Sequence, residues 1–170
     1  MFSLCMQAAQ LPIVLGSGGT YSVLAASTVT STGPSAVIGN LGVSPGTAVT
    51  GFPPGQVSGG AIHSADASVG TAQGDLTAAY NDAAGRTVPV VVAGDLGGLT
   101  LTPGLYKSTS TLGITGNVRL DGLGDVNSVF IFQVRSGLIT ASSSQVILQG
   151  RARRYADASS QPGVCCKGSR

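Results

Sequence analysis

The chain has 170 residues, 26 of them glycine, with only 9% charged residues and no glutamate. That length encloses one moderate core, and the composition is unlike the highly charged one of disordered chains. The net charge of +2 is uneven: residues 1–150 hold four basic groups (Arg86, Lys107, Arg119, Arg135) against six Asp, a net of −2, while residues 151–170 hold five basic groups against Asp157, a net of +4. A mildly acidic body with few aromatic residues argues against a nucleic-acid partner, and Cys5, Cys165 and Cys166 give that body neither a disulfide nor a metal-ligand spacing.

The opening "MFSLCMQAAQLPIV" is apolar but too short to span a bilayer and lacks a basic start. It reads at best as the remnant of a secretion signal, with no complete signal evident. From Leu15 to Gly55, short apolar runs such as "YSVLAAS", "TVTST", "SAVIGNLGV" and "TAVTGFPPG" are broken by Gly and Pro, as short strands with tight turns are. In "STVTSTGPS", residues 27–35, small hydroxyls alternate with other residues, with no acid, base or ligand beside them.

From Ala61 to Ala84 the period changes. Ile62, Ala65, Val69, Ala72, Leu76, Tyr80 and Ala83 recur at spacings of three and four, which predicts an amphipathic helix over about residues 61–84, capped near Ser58 or Gly59 and ended by Gly85 and Pro89. Gly70 and Gly74 cost a helix stability, so they are expected to allow close approach to a neighbouring sheet.

Beyond Val88 the strand pattern returns in "GGLTLTPGLYKS", "NVRLDG" and "LITASSSQVIL", each with an apolar and a polar side. "SVFIFQV" is apolar on both sides and is expected to seat the helix. No fixed repeat period is clean, and a β-sandwich fits these strands nearly as well. Residues 151–170 break the pattern and read as a basic tail, either disordered or the product of a shifted reading frame.

Chemical motifs are sparse. The lone histidine, His63, has no ligand cluster beside it in sequence; Asp121 and Asp125 flank "DGLGD", a turn in which Asp bonds backbone more often than it binds calcium or hydrolyses glycosides. "GSGGTY" lacks the Lys-Ser/Thr ending of a phosphate loop. No cofactor and no metal is expected.

Together, "VLGSGGTYSVLAASTVTSTGPSAVIGNLGVSPGTAVTGFPPG", "AIHSADASVGTAQGDLTAAYNDAAGR", "DLGGLTLTPGLYKS" and "SVFIFQV" resemble, in order from Val14 to Gly150, the microbial ice-binding (antifreeze) protein family, long carried as a domain of unknown function. The resemblance implies a mainly β fold with one long α-helix: a discontinuous right-handed β-helix (solenoid) of triangular cross-section, with the helix packed along its side. It also implies secretion, a non-enzymatic role and the ice crystal surface as partner.

Stacked strands then place outward hydroxyls and methyls on a regular lattice, and the residues expected to form it are Thr28, Thr30, Thr100, Thr102, Thr140, Ser142 and Ser144. Family members continue past Gly150 with further coils where this sequence has its basic tail, so the chain is expected to expose a strand edge, melt at low temperature and bind ice less well. Two other classes stay open: a cell-surface adhesin or carbohydrate-binding β-solenoid, for which Tyr21, Tyr80 and Tyr106 are the available aromatics, and a polysaccharide lyase or hydrolase using clustered Asp, Arg or Lys.

Overall fold

The computed structural model describes residues 10–153, so the secretion-signal reading of the first nine residues and the basic tail from residue 154 lie outside the described residues. The described residues form two compact units, residues 14–82 and residues 10–13 with 83–153.

In residues 14–82, a 3-10 turn over Gly16–Thr20 leads into β1 (Tyr21–Ala25), β2 (Thr28–Thr30) and β3 (Ala36–Ile38). A second pass gives β4 (Asn40–Val43), β5 (Ala48–Thr50) and β6 (Gln56–Ser58), and β7 (Ile62–Ser64) begins a third. Each pass contributes one strand to each of three parallel sheets, ordered β1-β4-β7, β2-β5 and β3-β6. Val29, Val37, Val49 and Val57 take the inner side of their strands, and Leu41 and Val43 of the central β4 are fully buried, whereas Ile38 faces outward. Asn40 ties the passes at one corner: its Nδ2 donates to Thr20 O at 3.2 Å and its Oδ1 accepts from Ala61 N at 3.0 Å.

The helix α1 runs from Ala67 to Gly85. It begins later than the expected residue 61, because residues 62–64 pair with β4 as β7 and Asp66 forms the cap, so sheet pairing overrides the helical spacing there. At 19 residues it is about 28 Å long. Val69 and Ala72 are fully buried and Ala79 nearly so, whereas Tyr80, expected on the same face, is exposed. The glycines that permit close packing are not those of the helix. Gly70 and Gly74 face open space, while a Cβ on Gly42 of β4 would come within 2.6 Å of Val69 Cγ2. Residues 67–82 therefore rest on β1 and β4 of their own unit, with Gln73 Nε2 donating to Ala25 O at 2.7 Å.

In residues 83–153 the scheme recurs with β8 (Val90–Val91), β9 (Gly94–Asp95), β10 (Thr100–Leu101), β11 (Gly104–Ser108), β12 (Leu112–Ile114), β13 (Asn117–Asp121), β14 (Phe130–Val134), β15 (Leu138–Thr140) and β16 (Gln145–Gln149). Again three parallel sheets form, β8-β11-β14, β9-β12-β15 and β10-β13-β16. One cluster unites Leu101, Tyr106, Leu112, Ile114, Val118, Leu120 and Phe130, with Tyr106 stacked on Phe132 at 5.2 Å.

On the other side of β11 and β14, Leu105, Val129 and Ile131 pack with Ile13 and Ala83. The "SVFIFQV" strand is thus covered on both sides, as its sequence predicts. The part of α1 that it meets is the C-terminal end, where Gln133 Nε2 donates to Ala83 O at 2.8 Å and Arg86 O at 3.1 Å, groups the helix itself leaves unpaired.

Candidate functional site

A small, uncharged outer side lies on the two-stranded sheet of β2 and β5. The register pairs Thr28 with Ala48, Val29 with Val49 and Thr30 with Thr50. The valines point inward; Thr28, Thr30, Ala48 and Thr50 are exposed on the outer side. Residues two apart along a strand stand about 6.6 Å apart and parallel neighbours about 4.8 Å, so these four side chains occupy the corners of one small rectangular cell. Thr50 Oγ1 donates to Thr30 Oγ1 at 3.2 Å. The corner that follows is closed by Ser31, whose Oγ donates to Gly33 O at 2.9 Å and is hydrogen-bonded with Ser35 Oγ at 3.0 Å. The row in "STVTSTGPS" therefore has two jobs, Thr28 and Thr30 facing outward and Ser31 and Ser35 building the turn.

Ala48 and Thr50 were absent from the sequence-based set. The signal was present: "TAVT" at 47–50 repeats "STVT" at 27–30 after 20 residues, the offset at which β2 and β5 pair. The neighbouring β3-β6 sheet is also uncharged outward, but Ile38 and Gln56 make it uneven.

The other expected residues separate. Thr100 on β10 is exposed, but its partner in β13 is Arg119, and Asp121 follows on the same side, so that face is charged. Thr102 lies just past the strand, exposed, with its carbonyl accepting from Tyr106 Oη at 2.6 Å. Thr140 pairs with Ile114, a buried residue, and so stands on the inner side of its sheet; its exposure comes from its position on the last strand of that sheet. Ser142 and Ser144 are not on a strand: residues 141–144 form a turn in which Ser144 Oγ donates to Ala141 O at 2.7 Å. Alternation persists through "LITASSSQVIL" only until Thr140, and its outward residue is Ile139.

The polar clusters elsewhere have structural roles. Asp66 caps α1, accepting from Val69 N at 2.9 Å and Ser68 Oγ at 2.7 Å, while its other oxygen meets His63 Nδ1 at 2.7 Å. The Ser68 hydroxyl, the Val69 N–H and His63, in that order, hold the Asp66 carboxyl well below the usual carboxylate range. Although a serine, a histidine and an aspartate meet here, Ser68 and Asp66 approach the same imidazole nitrogen, whereas a nucleophilic triad uses both.

The "GSGGTY" loop does hold an anion, but from its own chain: Ser17 N and Oγ donate to Asp75 Oδ2 at 2.7 and 2.5 Å, and they lower the Asp75 pKa. Asp121 and Asp125 bond the turn, accepting from Leu123 N and Asn127 N at 2.9 and 2.8 Å. Among the described residues, no three His, Cys, Asp or Glu side chains converge as a metal site would need.

A model of the family described as ice-binding-like matches residues 23–156. The chain belongs to the ice-binding-like family. It is 47% identical over 135 residues to an ice-binding protein of Nostoc sp. (strain HG1), covering 79% of this chain and 50% of that protein. It is 35% identical to ice-binding protein K3-B1 of Typhula ishikariensis, covering 83% of this chain and 66% of that protein.

Among solved structures, the crystal structure of an ice-binding protein from an Antarctic biological consortium superposes with a TM-score of 0.84 at 46% identity, over 89% of this chain and 69% of that one. An ice-binding protein from an Arctic yeast, solved to explain its antifreeze activity, gives 0.78 at 32% identity over 85% and 71%. As a member of the ice-binding-like family the chain thus shares a mostly stranded fold with one helix, and it spans about half to two thirds of the length of the curated relatives it matches.

Proposed function

We propose that this chain adsorbs to ice through the outer side of β2 and β5 and thereby restrains ice growth and recrystallisation. The observation that carries the reading is the uncharged cell of Thr28, Thr30, Ala48 and Thr50, found in a chain whose family relatives are named ice-binding proteins. Methyl groups at fixed spacing are surrounded by water that keeps its own hydrogen bonds, while hydroxyls pin that water to the protein. A layer ordered in this way joins a growing crystal through many weak contacts. Charged side chains would bind water too strongly to let it adopt the lattice, which is why the β10-β13 side, with Arg119 and Asp121, is set aside.

In this reading the repeated passes through three parallel sheets are coils of a right-handed β-helix of triangular cross-section, whose flat sides make such a lattice possible. The protein works outside the cell, where ice forms, and performs no catalysis; neither a cofactor nor nucleic acid takes part. The carbohydrate-binding alternative is weakened, because Tyr106 is buried against Phe132, which leaves the exposed Tyr80 and the partly buried Tyr21 as its aromatics. No helix among the described residues is long and apolar enough to cross a membrane.

Recrystallisation inhibition tests the proposal. The purified chain is expected to keep ice grains small in a frozen sucrose film under conditions where an inert protein of similar size lets them coarsen. Grain growth equal to that of the inert protein, from a chain that circular dichroism reports as folded and β-rich, would count against it.

A further inference from the structure

We propose that the threonines of this face divide the work: Thr28 anchors the ordered water through its hydroxyl, and Thr50 meets it through its γ-methyl. This inference rests on the ice-adsorption reading above, which supplies the ligand; what the structure adds is a difference in hydrogen bonding between chemically identical side chains.

A threonine hydroxyl has one proton to donate and two lone pairs. That of Thr50 gives its proton to Thr30 Oγ1 at 3.2 Å, across the gap between β5 and β2. Its donor is spent within the protein, and its direction along the sheet fixes χ1, which in a β-branched side chain also fixes the methyl. The γ-methyl and the oxygen's lone pairs are then the parts of Thr50 not committed to the protein, and no hydroxyl proton is left to donate to water.

Thr28 is different because its partner in the register is Ala48, which has no hydroxyl to offer. Among the described residues the Thr28 side chain has no hydrogen-bond partner, so both its donor and its acceptors are available to water. Thr30 is intermediate, accepting from Thr50 while keeping its own proton. No charged residue stands in the cell to compete for that water.

The test compares ice-affinity partition of the wild-type chain with Thr28→Val, Thr50→Val and Thr50→Ser, each at the same ice fraction and each with its melting midpoint measured. Thr28→Val is expected to lower the amount captured by roughly two- to tenfold, the range for one lost hydrogen bond. Thr50→Val, which keeps the methyl, should stay at the wild-type level. Thr50→Ser, which keeps the hydrogen bond but removes the methyl, should lose about fourfold, the effect of one methyl group withdrawn from an apolar contact.

The reverse order, with Thr50→Val impaired and Thr50→Ser intact, or equal losses at Thr28→Val and Thr50→Val, would overturn the division. The two valine variants are near-isosteric at exposed strand positions and decide the matter even where Thr50→Ser fails to fold. Exclusion of the wild-type chain from ice would remove the adsorption reading and this inference with it; capture of the wild type with the order reversed would remove only the inference.

Discussion

Gly42 of β4 lies directly beneath Val69 of α1: a Cβ built on Gly42 would stand 2.6 Å from Val69 Cγ2 and 2.8 Å from the Tyr21 ring. Val69 is fully buried and β-branched, so it cannot turn aside without moving the helix. Gly42→Ala is therefore expected to destabilise the chain by about 1 to 3 kcal/mol, the usual cost of overpacking, read as a lower midpoint in thermal or urea unfolding. An unchanged midpoint would show that α1 floats on this sheet.

Gly51, which ends β5, has φ +77°, and a Cβ there would overlap the carbonyl oxygen of Ser31 in the preceding pass. Neither obstacle can be relieved by a side-chain rotation. Gly51→Ala should cost roughly 2 kcal/mol or more, from the positive φ and the displaced backbone together. Because Thr50 is its neighbour, the same change should also reduce ice capture. A loss of stability with full capture would place the contact elsewhere.

Stability should also fall in acid. Asp66, Asp75 and Asp95 all have depressed pKa values in the fold; Asp95 is held down by the Thr115 side chain first and then by the Gly97 and Thr115 N–H groups. A carboxyl with a lower pKa folded than unfolded stabilises the fold above its unfolded value, near pH 4, and that contribution is lost as pH falls through the folded value. The melting midpoint should hold from pH 7 to about 4 and decline below it. Asp66→Asn, which keeps a capping oxygen but not the charge, should have a lower midpoint at pH 7 and a shallower acid decline. An equal slope in the variant would mean that the Asp66 charge plays no part.

Much of this architecture is legible in the sequence because burial leaves a period. The inward residues of β13 and both sides of β14 are marked by their alternation or its absence, and the helix by the spacing of Val69, Ala72, Leu76 and Ala83. The stacking is less visible. Paired strands are offset by 20 residues in β2 and β5 but by 26 in β11 and β14 and 28 in β13 and β16, since corner loops differ in length while the strands stay in register. A repeat search at one period misses this, and with it Ala48 and Thr50.

The site residues divide on the same physical ground. Thr28 and Thr30 lie on an outward strand side, which alternation identifies. Alternation alone cannot say that Thr100 will lie beside Arg119, or that Thr140 takes the inner side above Ile114, because both depend on which strand stacks next. Ser142 and Ser144 lie off the strands for a local reason: in "ASSSQ" the Ser144 hydroxyl bonds backbone three residues away, and such runs turn more readily than they extend.

The two threonine pairs should consequently respond differently to bulk. Thr100→Tyr with Thr102→Tyr, on the charged side, is expected to leave ice capture near the wild-type level, even though these residues carry the same side chains as Thr28 and Thr30. Strong loss in that variant, with its fold intact by circular dichroism, would move the contact to the β10-β13 side.

The most direct measurement is ice-affinity partition of the fluorescently labelled chain beside the Thr28→Tyr and Thr30→Tyr double variant, with melting curves for both. The account predicts capture of the wild type and near-complete exclusion of a folded double variant, because two rings would break the flatness of a four-residue cell. Equal capture of both proteins would contradict the claim that this chain meets ice through β2 and β5.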